Sequence, residues 1–462
     1  MAAKAEPIDP KVIKIAAVLL IGALAVVFDT TIVSVALRTL AADLHTDVAT
    51  IQWVSTGYLL ALGVAIPLAG WGQARFGGKR VWMFALVLFL IGSVACSLAW
   101  DAPSLIVARV VQGLGGGLML PLLSTLIVQA AGGAGLGRIM SVISLPTALG
   151  PILGPVIGGL ILGALDWRWL FWVNIPFCIA GFVLAWRVLE KDLVTARPRL
   201  DVVGLVLLSP GLVGILYGLS NAGKDGGFGR ADVLAPLLVG LALIVAFVVY
   251  ALRKGEGALV DVRLFRHRPV WSASVLLFLS GASLYGGMLL LPLYWQDVRG
   301  FDALGAGLLL APQGIGTLFS RSLAGRLTDA IGARTVAIVG FVIVGLSTIP
   351  FAFATESTNQ WLLVAVLVVR GLGLGTVMIP LMTVAYVGLE RADVPHASIL
   401  TRITQQVGGS FGVALLAVIL EGAVAAGHGA AAFDQAFWWA VGFTGVAVAV
   451  SFALPKLQKA PR

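Results

Sequence analysis

The feature that most limits the fold of this chain is a series of apolar stretches, each about 20 residues long, that recurs along the whole sequence. A helix of that length is what a hydrocarbon core of about 30 Å requires. Of the 462 residues, 59% are hydrophobic and only 11% are charged, whereas soluble domains contain about 25% charged residues. The sequence therefore predicts an all-α polytopic membrane protein, with no soluble domain between its spans.

We predict about fourteen spans, among them Trp53 to Ala74, Ile139 to Leu165 and Gly305 to Leu323. Basic residues are unevenly divided between the segments that join the spans. With both termini on one side, 23 of the 31 lysines and arginines fall in the segments on that side and five in the opposite loops. Cytoplasmic loops carry an excess of such residues, so we expect a multi-pass protein of a bacterial inner membrane with both termini in the cytoplasm.

The net charge of +9 could suggest binding to nucleic acid. The basic residues are spread over many short loops, however, so membrane orientation explains them better and no nucleic-acid partner is predicted. The four histidines lie singly, without metal-ligand spacing, and the sequence has no Gly-x-x-x-x-Gly-Lys-Ser/Thr phosphate loop. We therefore expect a transporter rather than an enzyme, with no metal or cofactor, driven by a proton gradient rather than by ATP.

The two halves of the sequence repeat one pattern. The segment Gly70 to Val81 matches Gly325 to Val336 at an offset of 255 residues, and the run Gln112 to Gly117 matches Arg370 to Gly375 at nearly the same offset. Parallel repeats are typical of transporters that bind cargo near the bilayer midplane and expose it to alternate sides.

The repeat predicts two six-helix bundles, residues 1–190 and residues 269–462. Residues 191–268 hold two further apolar stretches between charged segments, which we interpret as two inserted central helices. The prediction is thus fourteen transmembrane helices in three parts, and we expect the chain to act as a monomer in the lipid bilayer.

Asp29 is the acidic residue that lies deep in an apolar stretch, whereas the other 21 lie in loops or at span ends. An intramembrane aspartate costs about 2.5 to 3.5 kcal/mol on insertion scales and usually marks an ion pathway. Burial favours the neutral carboxyl group, so Asp29 is our candidate for loading and unloading a proton. The alternative is a structural aspartate that pairs with an arginine or caps a break in a helix.

Arg109 lies within the fourth span, where an always-charged guanidinium group needs a partner or a water-filled cavity. It could act as the counter-charge of Asp29 or adjust its protonation. The span begins only four residues earlier, at Leu105, so a side chain that reaches out to the membrane interface is the alternative.

The fifth span has small residues at every fourth position together with two prolines. A glycine face lets another helix approach closely, and proline kinks a helix. We predict a helix that bends during transport; glycine-rich packing without a moving part is the alternative. The residues of this motif are Gly150, Pro151, Gly154, Pro155, Gly158 and Gly159.

The repeated loops carry charges that could form a latch at the inner ends of the two halves. Inner loops are basic in any case, so Asp329 stands out as an acid. The residues that we assign to conformational switching are Gly70, Arg75, Gly77, Lys79, Arg80, Asp329 and Arg334.

Polar and aromatic residues within or beside the spans are candidates for the lining of a cargo cavity. For the aromatic ones, a position at the membrane interface is the alternative. The candidates are Gln52, Trp53, Tyr58, Gln112, Tyr285, Gln296, Gln313, Gln405 and Gln406.

These motifs resemble those of the major facilitator superfamily, and in particular its fourteen-span drug:proton antiporter branch, the QacA/EmrB type. Phe28 to Leu37 is similar to the first-span signature of that branch, and Gly70 to Arg80 is similar to the loop motif of the superfamily. Arg109 to Gly117 is similar to its fourth-span motif, and Gly150 to Gly159 is similar to the fifth-span motif of antiporters.

The resemblance implies that Asp29 takes part in proton coupling with help from Arg109, and that the loop motifs control conformational switching. It also implies the two inserted helices and export rather than uptake. The sequence departs from the family pattern at Ala74, where the loop usually has an aspartate, and at Arg38, where the first-span signature usually ends in proline. The first departure shifts the predicted latch towards Asp329.

We therefore predict a proton-coupled antiporter that exports small amphipathic or lipophilic compounds by alternating access, as multidrug efflux pumps do. A dedicated exporter of one metabolite, antibiotic or lipid is the alternative. A channel would be favoured if the flux did not depend on the proton gradient. The C-terminal spans lack the additional acids that branch members use for dications, so a strongly polycationic cargo is disfavoured.

Overall fold

A computed structural model describes residues 9–46, 48–131, 139–140, 150, 154, 157–190, 198–222, 227–255, 257–301, 303–427, 429 and 431–455. Every regular element among them is helical. Residues 157–164 are helical and belong to α7. The other α-helices are α1 Pro10–Asp43, α2 Val48–Ile51, α3 Trp53–Ala65, α4 Leu68–Phe76, α5 Gly78–Ser97, α6 Ala102–Ala131, α8 Trp169–Trp172, α9 Asn174–Val188, α10 Val202–Ala222, α11 Ala231–Lys254, α12 Arg268–Leu293, α13 Ala303–Ile331, α14 Ala333–Thr348, α15 Gln360–Ala385, α16 Val394–Ala425 and α17 Ala431–Ser451.

Eleven helical runs among the described residues are long and apolar enough to cross a membrane, and the bent pair α3 and α4 would make a twelfth. The predicted all-helical, multi-pass architecture is therefore confirmed. The count of fourteen spans stays a prediction. The predicted span Ile139 to Leu165 lies largely outside the described residues. Helix α13 covers the predicted span Gly305 to Leu323 but is not among the eleven, and it includes the polar Gln313 and Arg321.

The predicted second span, Trp53 to Ala74, forms two helices rather than one. Helix α3 ends at Ala65, α4 runs from Leu68 to Phe76, and the two are bent by 50° at the break. Pro67 lies at the break; a proline has no backbone N–H to donate and its ring clashes with the preceding turn, which kinks a helix. The apolar pattern alone predicts one continuous span here and no bend.

The chain folds as two compact units, and α10 and α11 each contribute residues to both. The division of the chain into 1–190, 191–268 and 269–462 stays a prediction. The first unit consists of Met1–Val213, Ile244–Val262 and Leu389–Ile399, and the second of Gly214–Leu243, Arg263–Gly388 and Leu400–Arg462.

The sequence repeat is visible in the backbone. Gly77 separates α4 from α5 with a φ of 91°, and Gly332 separates α13 from α14 with a φ of 92°. Positive φ values are strained for residues with a side chain and readily adopted by glycine. The two glycines are 255 residues apart, so each half turns its chain in the same way at the same place.

The glycine-rich runs also pack alike in the two units. A Cβ atom on Gly113 would overlap the carbonyl oxygen of Tyr58, and a Cβ atom on Gly371 would overlap that of Gln313. These glycines let α6 lie close to α3 in the first unit and α15 close to α13 in the second. The repeated motif therefore fixes equivalent helix contacts.

Candidate functional site

Asp29 lies in α1 at the centre of a buried polar network in the first unit. It is 1% exposed, and so is Arg109 of α6. The Nη1 atom of Arg109 lies 2.5 Å from Oδ2 of Asp29. Gln112 Nε2 and Asn174 Nδ2 each donate to Oδ1 of Asp29 at 2.9 Å. Three side chains thus surround the carboxyl group with donors, an arrangement that stabilises a buried carboxylate.

The guanidinium group of Arg109 is held from several sides. Its Nε atom donates to the carbonyl oxygen of Val54 at 3.1 Å, and Nη1 also donates to Oε1 of Gln112 at 2.7 Å. Its Cζ atom lies 4.0 Å from the centroid of the Tyr58 ring, within the range of a cation–π contact. The structure therefore places this side chain in the interior, against Asp29, rather than at an interface.

Ser93 and Asn174 complete the network, and neither is among the predicted site residues. Ser93 Oγ accepts from Gln112 Nε2 at 3.1 Å and from Asn174 Nδ2 at 3.0 Å, and it donates to the carbonyl oxygen of Phe171 at 3.1 Å. Asn174 is fully buried, and its Oδ1 atom has no hydrogen-bond partner among the described residues. An asparagine inside an apolar stretch is the signal that could have identified it.

Local packing explains how these residues meet. Arg109 and Gln112 are three residues apart on α6, so they share one face of the helix. A Cβ atom on Gly92 would lie 2.6 Å from the backbone of Gln112, so the glycine lets α5 and α6 approach closely. This approach brings the neighbouring Ser93 within hydrogen-bond distance of Gln112.

The predicted glycine face of the fifth span packs against α1. Thr31 Oγ1 donates to the carbonyl oxygen of Gly150 at 3.0 Å. Cβ atoms on Gly150 and Gly154 would overlap Val27 and Thr31, and one on Gly158 would lie 3.2 Å from the carbonyl oxygen of Ile32. The face therefore lies against the helix that carries Asp29. Among the described residues, no atom outside its own helix backbone lies within 4 Å of a Cβ on Gly159. Pro151 and Pro155 lie outside the described residues.

The switching residues of the first loop lie at a helix junction. Lys79 Nζ donates to the carbonyl oxygens of Trp186, at 2.6 Å, and Leu189, at 2.5 Å, which lie at the C-terminal end of α9, where a cation is favourable. Arg75 is half-buried and Arg80 is exposed. A Cβ atom on Gly70 would lie 3.0 Å from Ile399 Cδ1.

In the second loop, Asp329 is exposed, and the guanidinium carbon of Arg334 lies 5.3 Å from the centroid of the Phe452 ring. The charge latch between the loops stays a prediction.

The nine candidate cavity residues do not form one cluster. Tyr58 and Gln112 belong to the Asp29 network, and Gln313 accepts from Arg370. Gln405 lies 3.7 Å from Met378 Sδ, and Gln296 donates to its own helix at Pro292. The other members of the set are exposed or half-buried: Gln52, Trp53, Tyr285 and Gln406.

The second unit contains a buried arginine of its own. Arg370 in α15 is 2% exposed. It donates to Gln313 Oε1 at 2.7 Å, to Thr348 Oγ1 at 3.2 Å and to the carbonyl oxygen of Ser283 at 3.4 Å. Each of these partners is neutral.

Asp201 lies where the start of α10 meets the end of α11. Its carboxylate accepts from the backbone N–H groups of Gly204, at 3.0 Å, and Leu259, at 2.9 Å, and from Tyr250 Oη at 2.7 Å. Lys254 Nζ lies 2.8 Å away. Burial acts to raise the pKa of Asp201, but the hydrogen bonds from Lys254, Gly204, Tyr250 and Leu259 outweigh it and lower this pKa. None of these residues is among the predicted site residues.

Comparison with known proteins identifies the family. The family model of the Major Facilitator Superfamily matches residues 19–413. A protein named multidrug resistance protein B homolog, from Mycobacterium tuberculosis, is 38% identical over 417 residues, which are 90% of this chain and 77% of that protein. The lincomycin resistance protein LmrB of Bacillus subtilis is 31% identical over 415 residues, 89% of this chain and 86% of its own.

Solved structures share the fold. The proton:xylose symporter XylE has a TM-score of 0.68 at 16% identity, with 96% of each chain covered. A human organic anion transporter has a TM-score of 0.67 at 13% identity, with 96% of this chain and 100% of its own covered. With a family model that spans most of the residues and relatives above 30% identity, the chain belongs to the major facilitator superfamily of membrane transporters.

Proposed function

We propose that this chain is a proton-coupled antiporter that exports small amphipathic compounds across a bacterial inner membrane by alternating access. The observation that carries the proposal is the buried carboxylate of Asp29, paired with Arg109 inside a membrane-spanning bundle. Intramembrane acids of this kind usually mark proton relays. The names of two relatives, a multidrug resistance protein homolog and a lincomycin resistance protein, support export as the direction and drugs as the cargo.

The network accommodates Asp29 in two protonation states. As a carboxylate, Asp29 accepts from Arg109, Gln112 and Asn174. A proton on Oδ1 turns that atom into a donor, so one of the present donors has to give way. Gln112 is held in its orientation because its Oε1 atom accepts from Arg109. Asn174 can turn its amide, because its Oδ1 atom has no partner among the described residues.

Turning the Asn174 amide lets its Oδ1 atom accept the new carboxyl O–H. Ser93 Oγ loses the hydrogen bond from Asn174 Nδ2 but keeps the one from Gln112 and its own donation to Phe171. The proton therefore removes the negative charge beside Arg109 and rearranges one side chain. Losing a counter-charge in a site of low dielectric is costly, and this cost is what we propose couples protonation to a change of conformation.

The test is efflux of fluorescent dyes from cells that express the wild type, Asp29→Asn or Asp43→Asn, each with and without a protonophore. Asp43 is an exposed acid at the end of the same helix and serves as the matched control. We expect the wild type and Asp43→Asn to export dye until the protonophore is added, and Asp29→Asn to be inactive at equal expression. Uphill export by Asp29→Asn would refute the proposed role of Asp29.

A dedicated exporter of one compound is the second candidate function. A panel of cationic, neutral and anionic amphiphiles separates the two: a multidrug pump exports several members of the panel, whereas a dedicated exporter confers resistance to one chemical class only.

A further inference from the structure

Two arginines in the helices of the second unit, Arg370 and Arg402, have no acidic partner among the described residues. Arg370 has only neutral partners among the described residues. Arg402 is half-buried. Its Nε atom is buried, and the side chain makes no hydrogen bond or ion pair with any residue in the described part of the chain. Arg402 lies about two turns into α16, which begins at Val394. An unpaired charge at such a position is expensive, so a partner outside the chain is to be expected.

A second buried donor lies within electrostatic range of Arg402. Tyr386 follows the end of α15, is 4% exposed, and its hydroxyl group also has no partner among the described residues. Tyr386 and Tyr285 both lie near enough to Arg402 to interact with its charge. Tyr285 is 40% exposed and Arg402 is half-buried, so part of this group lies at the surface of the protein.

The three side chains share one chemical property, which is that they can donate hydrogen bonds. A guanidinium group presents several N–H donors in a fixed plane that matches a carboxylate or phosphate, and a phenol adds an O–H donor. Buried donors without acceptors are costly, and an oxyanion would satisfy them while it neutralises the arginine.

We propose that the second unit contains a binding site for the oxyanion of an amphipathic molecule, a carboxylate or phosphate group held by Arg402 and Tyr386 with Tyr285 at the accessible side. The anion would belong either to a cargo molecule or to the headgroup of an anionic lipid. The inference rests on the proposed export function only if the bound anion belongs to a cargo molecule.

The test uses calorimetry to measure the equilibrium binding of decanoate to the purified full chain in a non-ionic detergent. Decanol and decyltrimethylammonium are the probes without an anion. The variants are Arg402→Gln, Tyr386→Phe and, as a control with the same loss of charge, Arg266→Gln, an exposed arginine of the same unit. Tyr386→Phe removes a hydroxyl group that has no partner, so it should leave folding intact. The lipid arm adds phosphatidylglycerol or phosphatidylcholine as competitor.

We expect decanoate to bind the wild type and Arg266→Gln alike, at least tenfold more weakly to Arg402→Gln, and several-fold more weakly to Tyr386→Phe. Competition by phosphatidylglycerol but not phosphatidylcholine, lost in Arg402→Gln, would assign the site to a lipid headgroup. The proposal would be overturned if Tyr386→Phe, Arg266→Gln and the wild type bound decanoate equally. It would also be overturned if the wild type bound neither decanoate nor phosphatidylglycerol. Binding is measured without a proton gradient, so failure here leaves the proposed antiport intact.

Discussion

The two units place a buried arginine near the same point of the repeat but surround it differently. In the first unit, Arg109 pairs with Asp29, and Gln112 contacts both. In the second, Arg370 occupies the position that matches Gln112, and its partners are the neutral Gln313, Thr348 and a backbone carbonyl. The helix contacts beneath are equivalent, so the backbone packing of the repeat does not determine its chemistry. The arginine of the first unit is paired with an acid, whereas Arg370 has only neutral partners among the described residues, and we propose a proton site in the first unit and an anion site in the second.

Removing Arg109 should have the largest effect on stability. Arg109→Gln leaves the buried Asp29 without its counter-charge, which we expect to cost about 3 to 5 kcal/mol of the free energy of unfolding. Thermal unfolding in detergent measures the loss. Arg168→Gln breaks an ion pair whose side chains are 40% and 49% exposed, and it should cost no more than about 1 kcal/mol. A similar loss from both variants would show that the buried pair is not special.

The packing part of the comparison predicts equal effects in the two units. Gly113→Ala and Gly371→Ala each place a Cβ atom against a backbone carbonyl oxygen, and we expect each to lose about 1 to 3 kcal/mol of unfolding free energy through overpacking. Gly442→Ala, with no atom within 4 Å of its Cβ, is the control. If only one of the two tight variants is destabilised, the equivalence of the two helix contacts fails.

Asn174 tests the chemical part of the comparison. Asn174→Ala removes a donor to the carboxylate of Asp29 and the acceptor that we propose for its protonated form. We expect proton-driven efflux to slow about tenfold while the protein still folds. Asn359→Ala removes an exposed cap of α15 in the second unit and should leave efflux unchanged. An unchanged rate in Asn174→Ala would exclude Asn174 from coupling.

Asp201 sharpens the contrast between an acid inside the membrane and one at its edge. Because its pKa is lowered in the folded chain, its stabilisation is complete above the unfolded pKa of about 3.9 and is lost as the pH falls through the lower folded value. Asp201→Asn should therefore cost about 1 kcal/mol or more at pH 7. The gap in melting temperature between the variant and the wild type should close below about pH 4. A gap that is constant from pH 7 to pH 3 would contradict this.

The sequence by itself determined the all-helical, multi-pass architecture, because length, apolarity and the repeat are properties that a one-dimensional pattern records. Apolar stretches of spanning length leave only helices as an option in lipid. The repeat also places Gly77 and Gly332 at equivalent positions, and both have positive φ values. Asp29 stood out for the same reason, since a charge in an apolar stretch is visible without coordinates.

Only the tertiary structure decided which residues meet. Asp29 and Arg109 are 80 positions apart in the sequence, which leaves their contact open. The sequence is equally consistent with an Arg109 side chain that reaches the membrane interface. The sequence does not predict Ser93, Asn174 and the Asp201 cluster as sites, because their hydrogen-bond partners come from helices that are distant in the chain. It does not predict the bend at Pro67 either, because the length of an apolar stretch does not report the angle between two helices. A side chain's role depends on its neighbours in space, and in a helical bundle those neighbours are set by packing.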